Sequence, residues 1–227
     1  MNRISIYILL IITYLGISKS FSPEERSLLY FQNKYALASY FQARPTTIIL
    51  KELSVSGLFI KTYLQKYLII SGFEEPHYIT VVTPKQFWQE SQKFLGMSIF
   101  RRGENEEPSL VPMPPGYLFT GNPSYGQWVR QRTGYKKWSY YRSFKHYPRL
   151  FGYGKFKISH KFIKAARKAH GLGAPFFGLK NEFGKEGTLT KSLLKKSQSK
   201  NFEFFKHFNF IRDKFKSNIG RKNESNF

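Results

Sequence analysis

The chain has 227 residues, with 37 Lys plus Arg against 14 Asp plus Glu, for a formal net charge of +23. Hydrophobic residues make up 41% and aromatics 18%, enough apolar side chain to offset chain entropy, so the composition excludes a wholly disordered polyelectrolyte. Cysteine is absent, which excludes disulfides, thiolate nucleophiles and Cys-ligated zinc together.

At the N-terminus, Met1-Asn2-Arg3 precedes an uncharged run from Ile4 to Ile17, and Ser18-Lys19-Ser20 follows. A basic start, a short apolar stretch and small residues at −3 and −1 form the layout of a secretory signal, with cleavage expected before Phe21. The run is shorter than the roughly 20 apolar residues of a spanning helix. An uncleaved tilted anchor and a buried helix are the alternatives. The expected location is the periplasm, cell envelope or extracellular space.

Residues 21–100 are expected to form a small α+β unit able to fold without the segment that follows. Ser22-Pro23-Glu24-Glu25 opens a helix by capping and first-turn charge, and Leu28, Phe31, Tyr35, Ala38 and Phe41 continue it at helical spacing until Pro45. Thr46 to Leu50 is β-branched and fits a strand or a second helix start. Leu58, Ile60, Tyr63, Leu64, Tyr67 and Leu68 predict another helix ending near Gly72. Tyr78 to Val82 predicts a strand, and Thr83-Pro84 opens a third helix carrying Phe87, Trp88, Ser91, Phe94 and Leu95.

Residues 101–115 contain three Glu and Pro108, Pro112, Pro114 and Pro115. Proline removes backbone donors and restricts its predecessor, so the segment reads as an extended, Pro-rich linker. Charge then becomes lopsided. From Pro108 to Asn181 there are 14 basic residues and no acidic one. Like charges oppose compaction, so such a stretch is easiest to maintain beside an anionic partner.

Within 116–178, the basic aromatic region, sixteen aromatics fall between Tyr117 and Phe177, interleaved with Lys and Arg. Trp138, Tyr141, Phe144 and either His146 or Tyr147 are spaced to share a helical face. Arg130, Arg132, Lys136, Lys137, Arg142, Lys145 and Arg149 are candidate polyanion-binding cations, and Trp128, Trp138 and Tyr141 are candidate aromatic contacts. The competing reading makes the rings a compact core with the cations merely solvated. Ser159 to Gly171 is a basic helix, capped by Ser159, with Phe162, Ile163, Ala166 and Ala169 on its apolar side. Lys161, Lys164 and Lys168 extend the candidate surface.

The run Pro114-Pro115-Gly116, then Gly121-Asn122-Pro123-Ser124-Tyr125-Gly126-Gln127-Trp128, then Trp138-Ser139-Tyr140-Tyr141, resembles a segment of some exported bacterial proteins of unknown function. The resemblance implies a bacterial, exported protein and supplies no functional residues.

Residues 179–217 read as a basic helical extension. Phe204, Phe208, Ile211 and Phe215 recur at helical spacing, and 218–227 is expected to be a disordered tail. The fold class expected is α+β, mostly helical, with C-terminal helices. Motifs for zinc hydrolysis, nucleophile elbows and phosphate loops are missing, so no catalytic, metal or cofactor residue is assigned. The function expected is that of an exported, non-enzymatic cationic protein. It would bind an anionic envelope surface or partner (lipid headgroups, glycan or nucleic acid), with peripheral membrane association. A nucleic-acid-binding or ribosome-associated protein is one alternative. An enzyme using an unconventional Glu/His site is another.

Overall fold

The computed structural model describes residues 3–20, 28–57, 60–71 and 74–195. Its centre is a five-stranded mixed sheet. The strands are β1 (Leu29–Tyr30), β2 (Thr46–Ser56), β3 (Thr62–Ser71), β4 (His77–Thr83) and β5 (Ser98–Arg102), in the order β1-β4-β3-β2-β5. β1 runs parallel to β4, and the other neighbours are antiparallel. A separate hairpin pairs β6 (Gly126–Arg130) with β7 (Lys136–Tyr140).

The expectation of a mostly helical chain is therefore corrected: strands build the core of this α+β fold. From Thr62 onward the predicted helix is instead β3, pairing residue by residue with β4 from Tyr63↔Thr83 to Ile69↔His77. β3 is an inner strand, and residues 65 and 67–71 are all buried. A strand covered on both faces reads as a near-continuous apolar run, which contains helical spacings by accident. The helix predicted across Leu28–Phe41 is likewise shorter. Leu29 and Tyr30 form β1, and α2 (Lys34–Tyr40) begins only at Asn33, whose side chain accepts from the Tyr35 and Ala36 amides at 2.9 and 3.0 Å. The predicted opening at Ser22 lies outside the described residues, as do the helix over 204–216 and the tail. The strand at Tyr78–Val82 and the helix after Pro84, α3 (Lys85–Ser91), form where expected.

Strand alternation divides the sheet's apolar side chains between two cores. Ile48, Leu50, Tyr67, Ile69, Val81 and Phe100 pack with Phe31 and Leu37. Ile49, Leu68, Ile70 and Met97 pack with the aromatic region, including Phe119, Tyr125, Trp138, Phe151, Tyr153, Phe162 and Phe183.

Segment 101–115, expected as an extended linker, is exposed only across 104–108. Arg101 and Ser109 exchange backbone hydrogen bonds at 2.9 and 2.8 Å, and Ser98 and Met113 do so at 2.9 and 3.0 Å. The segment thus folds back beside β5, and Met113 is fully buried. Pro108, Pro112 and Pro114 alternate with the pairing residues, as proline must on a sheet edge.

The helix α1 (Arg3–Ser20) is exposed at every described side chain from Ile4 to Tyr14. Among the described residues, no helix is long and apolar enough to cross a membrane.

Candidate anion-binding surface

Three pieces of local chemistry position the cations of the aromatic region. The first is the turn-rich entry. Gly116 has φ +78°, and a Cβ there would run into the Phe151 ring and approach the Tyr153 hydroxyl. A Cβ on Gly126 would overlap the Ser139 carbonyl across the hairpin. Both glycines let backbone approach aromatic neighbours more closely than any side chain permits.

The second piece is the hairpin. Trp128 and Trp138 are directly paired across β6 and β7, with ring centroids 5.2 Å apart and edge-to-face. The helical face predicted for Trp138–Tyr147 is corrected to strand β7, a single 3-10 turn over Arg142–Phe144, and the short α4 (Tyr147–Leu150). Hairpin pairing overrides the local spacing because it satisfies backbone donors on both strands at once.

The third piece is α5 (His160–Gly171), formed where the sequence predicts it. The Ser159 hydroxyl accepts from the Phe162 amide at 3.2 Å. The chain leaves it through Gly173, at φ +66°. Phe162, Ile163 and Ala166 are buried, and the backbone amide of Trp138 donates to the Ile158 carbonyl at 3.1 Å, fixing the helix start against β7. Lys161, Lys164, Arg167 and Lys168 therefore stand in solvent.

The hairpin carries Arg130, Arg132 and Lys136, all exposed, and Lys137, half-buried. Lys137 bridges to Ser159, so hairpin and helix make adjoining surfaces. Lys137 also lines a cavity of about 240 Å³ with Lys145 and Lys157. Arg142 is exposed on the 3-10 turn. Arg149 lies apart from these, on a cavity it shares with Lys51, Lys66 and His146. The ion pairs of the described residues are Lys66–Glu52 at 3.9 Å and Lys191–Glu186 at 2.6 Å, and neither involves a candidate cation.

The aromatic candidates divide. Tyr141 is 44% exposed. Trp128 is half-buried, its ring 5.3 Å from that of His160. Trp138 is corrected from a contact residue to a core residue. It is buried by Tyr140 and the Gly126 backbone, and its indole N–H has no acceptor at hydrogen-bonding geometry beside the Tyr140 hydroxyl.

Two residues left off the candidate surface by sequence reasoning belong to it. Trp128, His160, Lys164 and Arg167 surround a cleft of about 150 Å³, where Arg167 Nη2 donates to the Gly121 carbonyl at 3.3 Å. His160, Lys164 and Arg167 follow i, i+4, i+7 spacing, so this stripe was available in the sequence. Beyond Arg167 lies a second cavity of about 360 Å³ holding Arg101, Glu106, Glu107, Tyr117 and His170. Arg101 donates to the Val111 carbonyl at 2.7 Å and to Ser109 Oγ at 3.1 Å, and lies over the Tyr117 ring. Burial pushes its pKa down to about 10, which still leaves a cation at neutral pH. Burial, then Arg101, lowers the His170 pKa and favours neutral imidazole, consistent with its 2.9 Å contact to Ser109 Oγ.

Burial raises the phenol pKa of Tyr140 and Tyr153, so both stay neutral. Among the described residues no group of three His or carboxylates is placed to hold a metal ion. Comparison with protein-family models, with curated proteins and with solved structures finds no match to this chain.

Proposed function

We propose that this is an exported, non-enzymatic cationic protein whose hairpin and α5 bind an anionic envelope surface. The observation that carries the reading is the unneutralised surface itself. Arg130, Arg132, Lys136, Lys161, Lys164 and Lys168 are exposed on adjoining elements, in a stretch without a single carboxylate. Trp128 and Tyr141 add ring faces beside the charge, which suits headgroups, sugars or bases. Export is supported by the uncharged run from Ile4 to Ile17, exposed from Ile4 to Tyr14, with Ser18 and Ser20 after it.

The binding half is tested with anionic vesicles, heparin and duplex DNA at rising salt. Replacing Arg130, Arg132, Lys161 and Lys164 together by Gln should weaken binding to all three. On duplex DNA the log–log salt slope should become shallower by about 3.6 if all four contact phosphate, since each lost contact removes about 0.9. Tyr141→Ala should weaken binding and leave the slope unchanged. Absence of binding to all three ligands at low salt would sink the proposal. Preference for DNA over vesicles of at least tenfold would favour the nucleic-acid reading instead.

The export half has its own measurement. Mass spectrometry of the mature protein should show Phe21 as its first residue, and an intact Met1 on the membrane-bound form would overturn it.

A further inference from the structure

We propose that the cavity between the central sheet and α4 binds a small organic anion with a phosphate or carboxylate head and an apolar body, anchored by Lys51. The cavity measures about 560 Å³. Small-ligand sites typically span roughly 300–1,000 Å³. It lies apart from the hairpin–α5 face and does not depend on it.

The strand is bent to make the site. In β2, Leu50 pairs with Tyr67 and Glu52 with Lys66, leaving Lys51 without a partner as the extra residue of a β-bulge. Bulges re-aim side chains and recur beside functional sites. Lys51, Glu52 and Lys66 all reach the same cavity. There Lys51 Nζ donates one hydrogen bond, to the Leu150 carbonyl at 3.2 Å. An ammonium has three donors, and among the described residues Lys51 makes no ion pair. The nearby carboxylate, Glu52, is held by Lys66 at 3.9 Å.

Charge around the site favours an anion. Lys66 faces in from β3 and Arg149 from the α4 turn, against Glu52 alone, with the His146 ring also on the wall. Tyr78 adds a phenol from β4, with Lys66 Nζ 5.4 Å from its ring centroid. The walls are apolar at Leu95, Leu150 and Leu193, which asks for a hydrocarbon body behind the head. Burial pushes the Lys51 pKa down to about 8, as expected of a cation lacking a counter-charge. A bound anion would supply that charge.

The test is titration calorimetry of the full chain with phenyl phosphate, phenylacetate and inorganic phosphate. Saturable binding of phenyl phosphate or phenylacetate is expected, with inorganic phosphate at least about tenfold weaker because it lacks the body. Affinity should fall between pH 7 and pH 9 as Lys51 loses its proton, while a phosphate monoester, with its second pKa near 6, keeps its charge. Lys51→Met should cost about tenfold or more, and the fourfold hairpin–α5 variant should bind as the wild type does. Lysine reductive methylation of the unaltered protein supplies a readout that needs no variant. Phenyl phosphate should protect Lys51 and leave Lys161 labelled. Any of three results would overturn the site: no saturable binding of either aromatic anion, equal binding by a folded Lys51→Met, or unchanged labelling of Lys51. Equal affinity for inorganic phosphate would overturn the apolar body.

Discussion

Phe119→Ala is expected to cost about 3–5 kcal/mol of folding stability, the range for deleting a buried aromatic ring. Phe119 has no exposed surface. Its ring meets those of Tyr125 and Tyr147 at 5.0 Å each, edge-on, and stacks on Phe151 at 5.9 Å. Three of the region's rings therefore lose a partner together, and a cavity forms where none of them can move in without leaving another neighbour. Urea denaturation monitored by tryptophan fluorescence measures the loss as a lower midpoint at an unchanged slope. Tyr141→Ala is the matched control. Tyr141 is 44% exposed, so its removal should change stability by no more than about 0.5 kcal/mol. A loss below about 1 kcal/mol for Phe119→Ala would mean that the rings around it do not act as a packed core.

A fragment of residues 28–103 is expected to remain unfolded, whereas 28–195, which keeps both cores, should unfold in one cooperative transition. The sequence alone suggests the opposite, a unit ending near residue 100 that folds by itself. The packing of the second sheet face argues against such independence. Ile49, Leu68, Ile70 and Met97 belong to one core with Phe119, Phe151 and Phe183, so cutting at 103 bares that face to water. The cut also removes the Ser109 and Met113 partners of β5 and leaves the Arg101 guanidinium without its Val111 and Ser109 acceptors. Circular dichroism with urea titration decides the matter. A cooperative transition in the 28–103 fragment would show that the first half is autonomous.

The two outcomes bear on how the aromatic region divides its labour. Phe119, Tyr125, Trp138, Phe151 and Tyr153 are interior, while Tyr141 and part of Trp128 remain for contact. The cations have no such division, because Lys and Arg heads stay in water even where their stems are covered. Arg101, Arg102 and Lys51 are the exceptions: the two arginines are buried on protein acceptors at Val111, Ser109 and Gln42, whereas Lys51 lines a cavity with a single carbonyl acceptor.

Features set by neighbours a few residues away were legible in the sequence by itself. The Ser159 cap, the helix start after Pro84 and the strand at 77–83 depend on local backbone chemistry, and each forms as read. The acid-free stretch from Pro108 to Asn181 is a count, and needs no structure. What depends on partners far along the chain was decided by tertiary structure. β3 became a strand because β2 and β4 flank it on both sides, although its residues also satisfy a helical spacing. The proline segment became an edge of the sheet because Ser98 and Arg101 of β5 offered donors and acceptors to it. Trp138 became core because Trp128, Tyr140 and Gly126 close around it. Lys51 came to line a cavity because its bulge lies beside Leu150 of α4, about a hundred residues later. A lone lysine after five strand-forming residues carries no mark of that, since burial is a property of the packed chain and not of the residue.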